Sequence, residues 1–156
     1  MYKKFFAEEA FMEEAYAEAL KAFEINEVPI GCVIVYEEKI IGRGHNRRNI
    51  EGNVLAHAEI IAINQACNFM GDWRLEGCCL YVTIEPCPMC AGAILQARIP
   101  TVVYGAANPK AGCVGSIYNL LDEPRFNHQV QVLPGVREEM CAGLMRSFFS
   151  RRRLRN

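Results

Sequence analysis

Residues 79–90 read Cys-Leu-Tyr-Val-Thr-Ile-Glu-Pro-Cys-Pro-Met-Cys, and this stretch decides the fold. Its first six residues are mostly apolar or β-branched, which predicts a strand over residues 79–84. The strand ends at Glu85-Pro86, and a helix is predicted to follow directly over residues 87–96. A strand that leads straight into a helix is typical of a sheet covered by helices.

The rest of the chain supplies further strands and helices on both sides of this unit. Apolar residues at helical spacing, or in short runs bounded by turn residues, mark each of them. The predicted helices span residues 8–26, 57–70, 87–96 and 136–153, with a short one at 116–121. The predicted strands span residues 30–36, 39–46, 79–84, 101–105 and 129–133. The predicted loops are residues 47–54 and 108–115.

The order of these elements predicts an α/β fold. The first two strands are joined by the short turn Glu37-Glu38, so they should form an antiparallel hairpin. Strands and helices alternate after the hairpin, so the remaining strands should be mostly parallel. We therefore expect a single domain over residues 1–156, in which a five-stranded mixed sheet forms the middle of three α/β/α layers.

The composition is that of an ordinary globular protein, with 51% hydrophobic and 22% charged residues. No apolar run reaches the roughly 18 residues that a membrane-spanning helix needs. Four glutamates between residues 8 and 14 interrupt any apolar core of a signal peptide. These features predict a cytoplasmic protein.

The eight cysteines raise the question of disulfides. Most of them lie in apolar runs, whereas disulfide-rich secreted domains are usually short and rich in loops. We expect Cys87 and Cys90 to bind a metal and the other cysteines to be mostly buried thiols.

Charge is unevenly placed, although the formal net charge is only −1. Four of the last six residues are arginines, namely Arg151, Arg152, Arg153 and Arg155. Such a run can bind nucleic-acid phosphates. It can equally be a solvated helix end, where cations interact favourably with the helix dipole. The tail by itself leaves both interpretations open.

Two short clusters about thirty residues apart carry the chemistry of the chain. His57-Ala58-Glu59 opens one predicted helix, and Pro86-Cys87-Pro88-Met89-Cys90 opens another. One imidazole and two thiols at this spacing suit zinc, with a fourth position left for water. Glu59 stands apart from the ligands, and this combination of motifs is typical of zinc-dependent nucleobase deaminases.

The spacing of His57 and Glu59 sets a geometric demand that the structure must meet. Residues two apart on an ideal helix point roughly 200° apart, so His57 and Glu59 can share one site only if this turn departs from a regular helix or Glu59 reaches back. A purely structural zinc site is the alternative. Its fourth ligand would come from Cys78, Cys79 or Cys113, and Glu59 would then have no reason to lie beside a ligand.

A catalytic site of this kind predicts a definite reaction. Zinc can lower the pKa of a bound water to roughly 7, and the hydroxide can attack an electron-poor ring carbon of a base. Glu59 would carry protons to the ring nitrogen and to the departing amine. Ammonia would leave and a carbonyl would remain.

Several further motifs accompany the zinc clusters. They are Glu27-Val28-Pro29-Ile30-Gly31, Asn46-Arg47, Gly115-Ser116, Phe126-Asn127-His128, and Phe148-Phe149 before the arginines. With them, nearly the whole chain resembles the bacterial tRNA-specific adenosine deaminases (TadA type) of the cytidine deaminase-like superfamily. The zinc motif alone indicates only the superfamily. Asn127-His128 and the basic last helix narrow the resemblance to the tRNA branch.

The resemblance implies a reaction, a cofactor and an assembly. The wobble adenosine of an arginine tRNA anticodon would be converted to inosine, with the anticodon stem-loop as the substrate. His57, Cys87 and Cys90 would hold one zinc ion per chain, and Glu59 would shuttle protons. The active form would be a homodimer whose partner helps to shape each pocket.

The resemblance also implies residues that contact the substrate. Asn46 would hydrogen-bond the flipped-out nucleoside, the Ala58 backbone would complement the edge of the base, and Asn127 would contact the anticodon-loop backbone. The other implied substrate contacts are Val28, Asn108, His128, Arg151 and Arg152.

Two positions depart from the family pattern. Leu55 stands where the family commonly has threonine, and we expect only a change in a loop. Asn108 stands where the family usually has aspartate. This second position falls near the expected substrate strand, so it bears on selectivity for RNA.

Two other functions compete with tRNA editing. One is a deaminase of free bases or nucleotides, acting on cytidine, deoxycytidylate or guanine. The other is a non-catalytic, zinc-bound RNA-binding module. Glu59 argues against the module, and the arginine-rich tail argues against the deaminase of free bases or nucleotides.

Overall fold

The computed structural model describes residues 2–156, with side chains from Glu8 onward. The helices are α1 (Tyr2–Glu24), α2 (Arg48–Glu51), α3 (Ala58–Met70), α4 (Pro88–Gln96) and α5 (Glu138–Arg153). The strands are β1 (Gly31–Tyr36), β2 (Lys39–His45), β3 (Cys78–Ile84), β4 (Thr101–Ala106) and β5 (Gln131–Leu133). A single turn of 3₁₀ helix lies at Leu120–Asp122.

The five strands form one mixed sheet in the order β2-β1-β3-β4-β5. Strand β1 pairs antiparallel with both β2 and β3, and the pairs β3–β4 and β4–β5 are parallel. The predicted five-stranded mixed sheet with an antiparallel opening hairpin is therefore confirmed. Since β2 and β3 both run antiparallel to β1, their carboxyl ends lie at the same edge of the sheet.

Two hydrophobic cores lie on opposite faces of the sheet. One core packs α3 and α4 against the sheet through residues such as Ala62, Ile94 and Ile34. The other packs α1 and α5 through residues such as Met12, Cys141 and Val33. Consecutive residues of β1 thus point to opposite cores, as expected of a strand buried on both faces. This arrangement gives the predicted three layers.

A glycine in β2 brings the start of α3 close to the sheet. A Cβ atom built on Gly44 would lie only 2.3 Å from the Ala58 carbonyl oxygen, which is closer than real Cβ contacts come. Only glycine therefore permits this approach of helix and strand. The contact fixes the N-terminal end of α3, where the first predicted cluster lies.

Two predicted segments differ from the structure. Residues 47–54 were expected to form a loop, but they contain the short helix α2, because the buried Glu27 carboxylate accepts a hydrogen bond from the Ile50 N–H at 2.6 Å. The predicted helix at 116–121 is wrong. Gly115 instead donates a hydrogen bond to the Tyr118 carbonyl, and Val114 pairs with Asn119. The helical turn therefore begins only at Leu120.

The structure also bears on the cysteines and on membrane insertion. All eight cysteines lie among the described residues, where no disulfide is present, and four of the six outside the predicted metal cluster are buried. Within residues 2–156, no helix combines the length and the apolar character that crossing a bilayer requires.

Candidate active site

His57 and Glu59 converge because His57 lies just outside α3. Its backbone is extended (φ −87°, ψ 152°), and its carbonyl accepts a hydrogen bond from the Ile61 N–H at 3.1 Å. Glu59 lies in the first turn of α3 and is only 4% exposed. The helical angle between positions two apart therefore does not apply to this pair, and the geometric demand of the sequence is met.

The second cluster is built in the same way at the start of α4. Cys87 is extended (φ −74°, ψ 173°) and precedes the helix, and Pro88 occupies the first turn, where a missing N–H is tolerated. Cys90 follows in that turn and is buried. The Sγ atoms of Cys87 and Cys90 each lie 3.6 Å from Nδ1 of His57.

These three residues form a group that can hold a metal ion. One ligand atom from each of His57, Cys87 and Cys90 lies within 4.8 Å of the others. Two thiols and one imidazole are the donor set that zinc prefers. Cys78, Cys79 and Cys113 do not belong to this group, and in the described part of the chain it has no fourth protein ligand. Three ligands are typical of a catalytic zinc site rather than a structural one.

The protonation of the site follows from burial and from contacts within the cluster. Burial raises the pKa of the Glu59 carboxyl to about 7. The hydrogen bond between Cys87 and Cys90 lowers the pKa of Cys87 to about 4 and raises the pKa of Cys90. The hydrogen bond with Cys87 raises the pKa of His57. Cys87 can therefore bind a metal as a thiolate, and binding by Cys90 requires release of a proton.

A cavity of about 180 Å³ opens beside the cluster. His57, Cys87 and Glu59 line it. The predicted substrate contacts that also line it are Val28, Asn46, Ala58 and Asn108. The structure therefore brings half of the eight predicted substrate contacts to the cluster.

Asn46 is held in place by backbone groups on both sides of its amide. Its Nδ2 donates to the Val28 carbonyl at 3.3 Å, and its Oδ1 accepts from the Arg48 N–H at 3.2 Å. The residue is 7% exposed and follows directly after β2. Because both ends of the amide are oriented, its position in the cavity is fixed by the backbone.

Sequence reasoning missed two charged residues that line the cavity, Arg48 and Glu85. Burial alone would raise the pKa of Glu85, but hydrogen bonds from the Ser116 hydroxyl and from loop N–H groups hold it below its ordinary value. The position of Glu85 just before Pro86-Cys87 was a possible signal. Arg48 gave none, because α2 itself was not predicted.

Asn127 and His128 lie in a different cavity, of about 200 Å³, beside the end of α4. Phe126 and Arg98 also line it. The Nε2 atom of His128 lies 2.8 Å from the Ile99 carbonyl oxygen. The structure therefore does not bring these two predicted substrate contacts into the cavity that Glu59 lines.

A groove lined by basic and apolar residues extends from the first cavity along α5. A cavity of about 890 Å³ shares Val28, Arg48 and Asn108 with the Glu59 cavity, and it shares several residues with a further cavity of about 510 Å³. We call the part along α5 the basic groove. It is lined by Lys110, Met145, Arg146, Phe149, Arg152 and Arg153.

Arg151 and Arg152 have different surroundings although they are adjacent in the chain. Arg152 lines the basic groove, as a substrate contact would require. Arg151 is turned towards α1, where its guanidinium lies 4.4 Å from the centre of the Phe23 ring and donates to the Phe23 carbonyl at 3.4 Å. The structure thus separates two arginines that the sequence grouped together.

Comparison with known proteins shows which family the chain belongs to. The model of the MafB19-like deaminase family matches residues 6–153. The chain is 54% identical to the tRNA-specific adenosine deaminase of Bacillus subtilis, over 91% of this chain and 88% of that protein. It is 46% identical to the enzyme of the same name from Agrobacterium fabrum, over 92% of this chain and 95% of that protein.

Solved structures extend the comparison to the fold. A chain from a study of A-to-I editing by tRNA:A34 deaminases superposes with a TM-score of 0.83 at 45% identity, over 86% of this chain and 98% of that one. A guanine deaminase from Nitrosomonas europaea superposes with a TM-score of 0.75 at only 21% identity, over 91% of this chain and 84% of that one, so this likeness concerns the fold alone. The chain belongs to the family of tRNA-specific adenosine deaminases.

Proposed function

We propose that this chain, as one domain over residues 1–156, converts the wobble adenosine of an arginine tRNA anticodon to inosine in the cytoplasm. The observation that carries the proposal is the buried carboxylate of Glu59, beside three side chains that could hold a metal ion, in a cavity that opens towards the basic groove. The names of the relatives support the same activity.

His57, Cys87 and Cys90 would hold one zinc ion per chain. Their donor atoms and mutual distances fit the ion, as described above. When bound there, zinc would supply a Lewis acid that makes a water molecule nucleophilic near neutral pH.

Glu59 would move the protons of the reaction. The carboxylate takes a proton from the attacking water as a C–O bond forms at C6 of adenine, and it delivers that proton to the ring nitrogen N1. It then carries the second proton of the water to the amino group. The C6–N bond breaks, ammonia leaves, and the C6 carbonyl of inosine remains. Burial of Glu59 keeps bulk water from competing for these protons.

The walls of the cavity would hold the flipped-out nucleoside. Asn46 would hydrogen-bond it, while Val28 and the Ala58 backbone would lie against the base. Asn108 stands where the cavity meets the larger groove, so it would contact the strand that leads to the reacting nucleotide. These contacts would exclude water and orient the base.

The basic groove would bind the neighbouring nucleotides of the anticodon loop. Lys110, Arg146 and Arg152 supply positive charge for phosphates, and Phe149 supplies an aromatic face for a base. A free base or nucleoside has no phosphate to occupy this groove, which favours a nucleic-acid substrate over these small molecules. Asn127 and His128 would contact RNA from their separate cavity, in a homodimer whose partner helps to shape each pocket.

A direct comparison of substrates tests the proposal. The purified protein is incubated with an arginine-tRNA anticodon stem-loop that carries the wobble adenosine. Parallel reactions contain the same stem-loop with the adenosine moved by one position, or free adenosine, cytidine, deoxycytidylate or guanine. We expect inosine only in the first reaction. Turnover of a free base or nucleotide alone would support a small-molecule deaminase, and turnover of nothing would support the non-catalytic module.

A further inference from the structure

The carboxylate of Glu85 accepts four hydrogen bonds from a single loop, residues 108–116. Its Oε1 accepts from the Asn108 N–H at 3.1 Å and from the Ser116 hydroxyl. Its Oε2 accepts from the N–H groups of Val114 and Ser116, each at 3.0 Å. Glu85 is only 2% exposed, so water does not replace these contacts. Both oxygens have two donors each, which uses the usual acceptor capacity of a carboxylate.

The loop closes tightly around this carboxylate. A Cβ atom built on Gly112 would lie 2.4 Å from both Cδ and Oε2 of Glu85, so no larger residue fits without a shift. Gly112 itself donates to the Asn108 carbonyl at 2.7 Å, and Cys113 donates to the Pro86 carbonyl at 2.8 Å. The loop is therefore attached both to the side chain of Glu85 and to the backbone just beyond it.

Glu85 thus connects two walls of the Glu59 cavity. Its backbone precedes the metal-binding Cys87 by two residues, and its side chain holds the loop that carries Asn108 and Ala111. All four of these residues line the cavity. A change in the length or hydrogen bonding of the Glu85 side chain would therefore move one wall relative to the other.

We propose that Glu85 is a positioning residue, which sets the distance between the Asn108 wall and the metal-binding turn and so determines how well the substrate nucleoside is held. The inference rests on the proposed function, because it concerns the substrate of that site. Glu85 need not touch the reacting atoms. It acts through the loop, so its loss should weaken substrate binding more than it slows the bound substrate.

The variant Glu85→Gln separates this role from simple space filling. Glutamine has nearly the same shape, but only one of its two terminal atoms accepts hydrogen bonds. The other is an NH₂ group, which would face the N–H groups of Val114 and Ser116 in one orientation of the amide and the Asn108 N–H in the other. A residue that only filled space would tolerate this change.

The test measures KM and kcat on the anticodon stem-loop, together with zinc content and hydrogen exchange of residues 108–116. For Glu85→Gln we expect KM to rise roughly tenfold or more while kcat changes less than about threefold, since hydrogen bonds to a buried charge are lost. Zinc content should stay at the wild-type level, and the loop amides should exchange faster. Unchanged KM and exchange would overturn the proposal, and so would loss of zinc with a fall in kcat alone.

Two variants in the loop disturb the same contact between the Glu85 carboxylate and residues 108–116. They replace Glu85→Gln in the test if that protein does not fold. Gly112→Ala forces the loop away from the carboxylate, and Ser116→Ala removes one of its donors. Both should raise KM, with the smaller effect in Ser116→Ala. Glu18→Gln is the matched control, because Glu18 is another buried carboxylate with several hydrogen bonds but does not line the cavity. It should lower the melting temperature and leave KM unchanged.

Failure of the proposed function would give a different result. The wild-type protein would then leave the stem-loop unmodified, and KM would be measured on the base or nucleotide that it does deaminate. Faster exchange of residues 108–116 in Glu85→Gln, with a raised KM for that substrate, would still support the role of Glu85. Unchanged exchange in the loop would overturn it whatever the substrate.

Discussion

Nδ1 of His57 lies 3.6 Å from Sγ of Cys87, although 30 residues separate the two in the chain. The arrangement of the strands in the sheet brings these two atoms together. His57 comes after β2 and the short helix α2, and Cys87 comes soon after β3, and the carboxyl ends of these two strands lie at the same edge. Each residue occupies the extended position just before a helix, so both side chains are presented at the place where α/β proteins bind ligands.

Glu59 does not belong to the group that could hold a metal ion, and this predicts the behaviour of Glu59→Ala. We expect the purified wild-type protein to carry one zinc ion per chain, and the variant to keep it while turnover falls by a factor of about 10² to 10⁴ or more, because general acid–base catalysis is lost. Metal analysis and a single-turnover assay on the stem-loop measure the two quantities. His57→Ala, as the comparison, should lose both zinc and activity. Loss of zinc from Glu59→Ala would instead support a structural site.

Residues 151–156 should contribute to RNA affinity. Their removal should weaken binding of the stem-loop and flatten its dependence on salt, because fewer phosphates are neutralised. Turnover of a saturating stem-loop should change less. Unchanged affinity and salt dependence would show that the tail is only a solvated helix end.

The different surroundings of Arg151 and Arg152 sharpen this experiment. Arg152→Gln should lower the slope of log Kd against log salt by about 0.7, the value for one phosphate contact on a single strand. Arg151→Gln is the matched control, since Arg151 contacts Phe23 of α1 rather than the basic groove. That variant should mainly lower the melting temperature. Equal effects of the two variants on the slope would contradict the separate roles.

Glu18 should make stability depend on pH in the acid range. Burial alone would raise its pKa, but Lys21, His45 and Arg43 face the carboxylate and together hold the pKa below the ordinary value of 4.5. A depressed pKa means that the stabilisation is present above pH 4.5 and is lost as the pH falls through the folded-state pKa. Thermal melts should show wild type more stable than Glu18→Gln at neutral pH, with the difference shrinking in acid. A difference that stays constant with pH would contradict this assignment.

Much of the fold could be predicted because the elements have strong local signals. The apolar run of β1 and the strand-to-helix passage at Glu85-Pro86-Cys87 need no long-range contact to be recognised. The helix α2 had no such signal. Its position depends on a hydrogen bond from Ile50 to Glu27, which lies 23 residues earlier in the chain. The prediction of a helix over residues 116–121 failed for the same reason, since the pairing of Val114 with Asn119 overrides the local preference for a helix.

Some residues of the candidate site could likewise be predicted from the sequence, and others could not. The sequence could group His57, Glu59, Cys87 and Cys90 into one candidate site because metal chemistry restricts both residue type and spacing. Residues that shape the cavity are less restricted. Glu85 has its role only through a loop more than twenty residues later, and Arg151 differs from Arg152 only through its contact with α1. Such relationships depend on tertiary structure and leave no pattern in the sequence.

The last prediction concerns Asn108 and the choice between RNA and DNA. Its Oδ1 accepts a hydrogen bond from the Ala111 N–H at 3.2 Å, and its own N–H is held by Glu85. Aspartate could accept the same bond from Ala111, so Asn108→Asp should keep the loop and change mainly the charge beside the substrate strand. A carboxylate there repels phosphate, but it can also accept a hydrogen bond from a ribose 2′-hydroxyl, a group that DNA lacks.

With RNA, the hydrogen bond from the 2′-hydroxyl would therefore offset the repulsion between aspartate and phosphate. With DNA, nothing would offset it. We expect the wild-type chain, which has asparagine, to deaminate adenosine in single-stranded DNA detectably but less well than in its tRNA. Asn108→Asp should lower the DNA activity more than the RNA activity, by a further factor on the order of ten in their ratio. The matched control is Asn119→Asp, since Asn119 likewise caps a backbone N–H but does not line the cavity. Equal changes on both substrates, or none on either, would show that Asn108 takes no part in distinguishing the sugars.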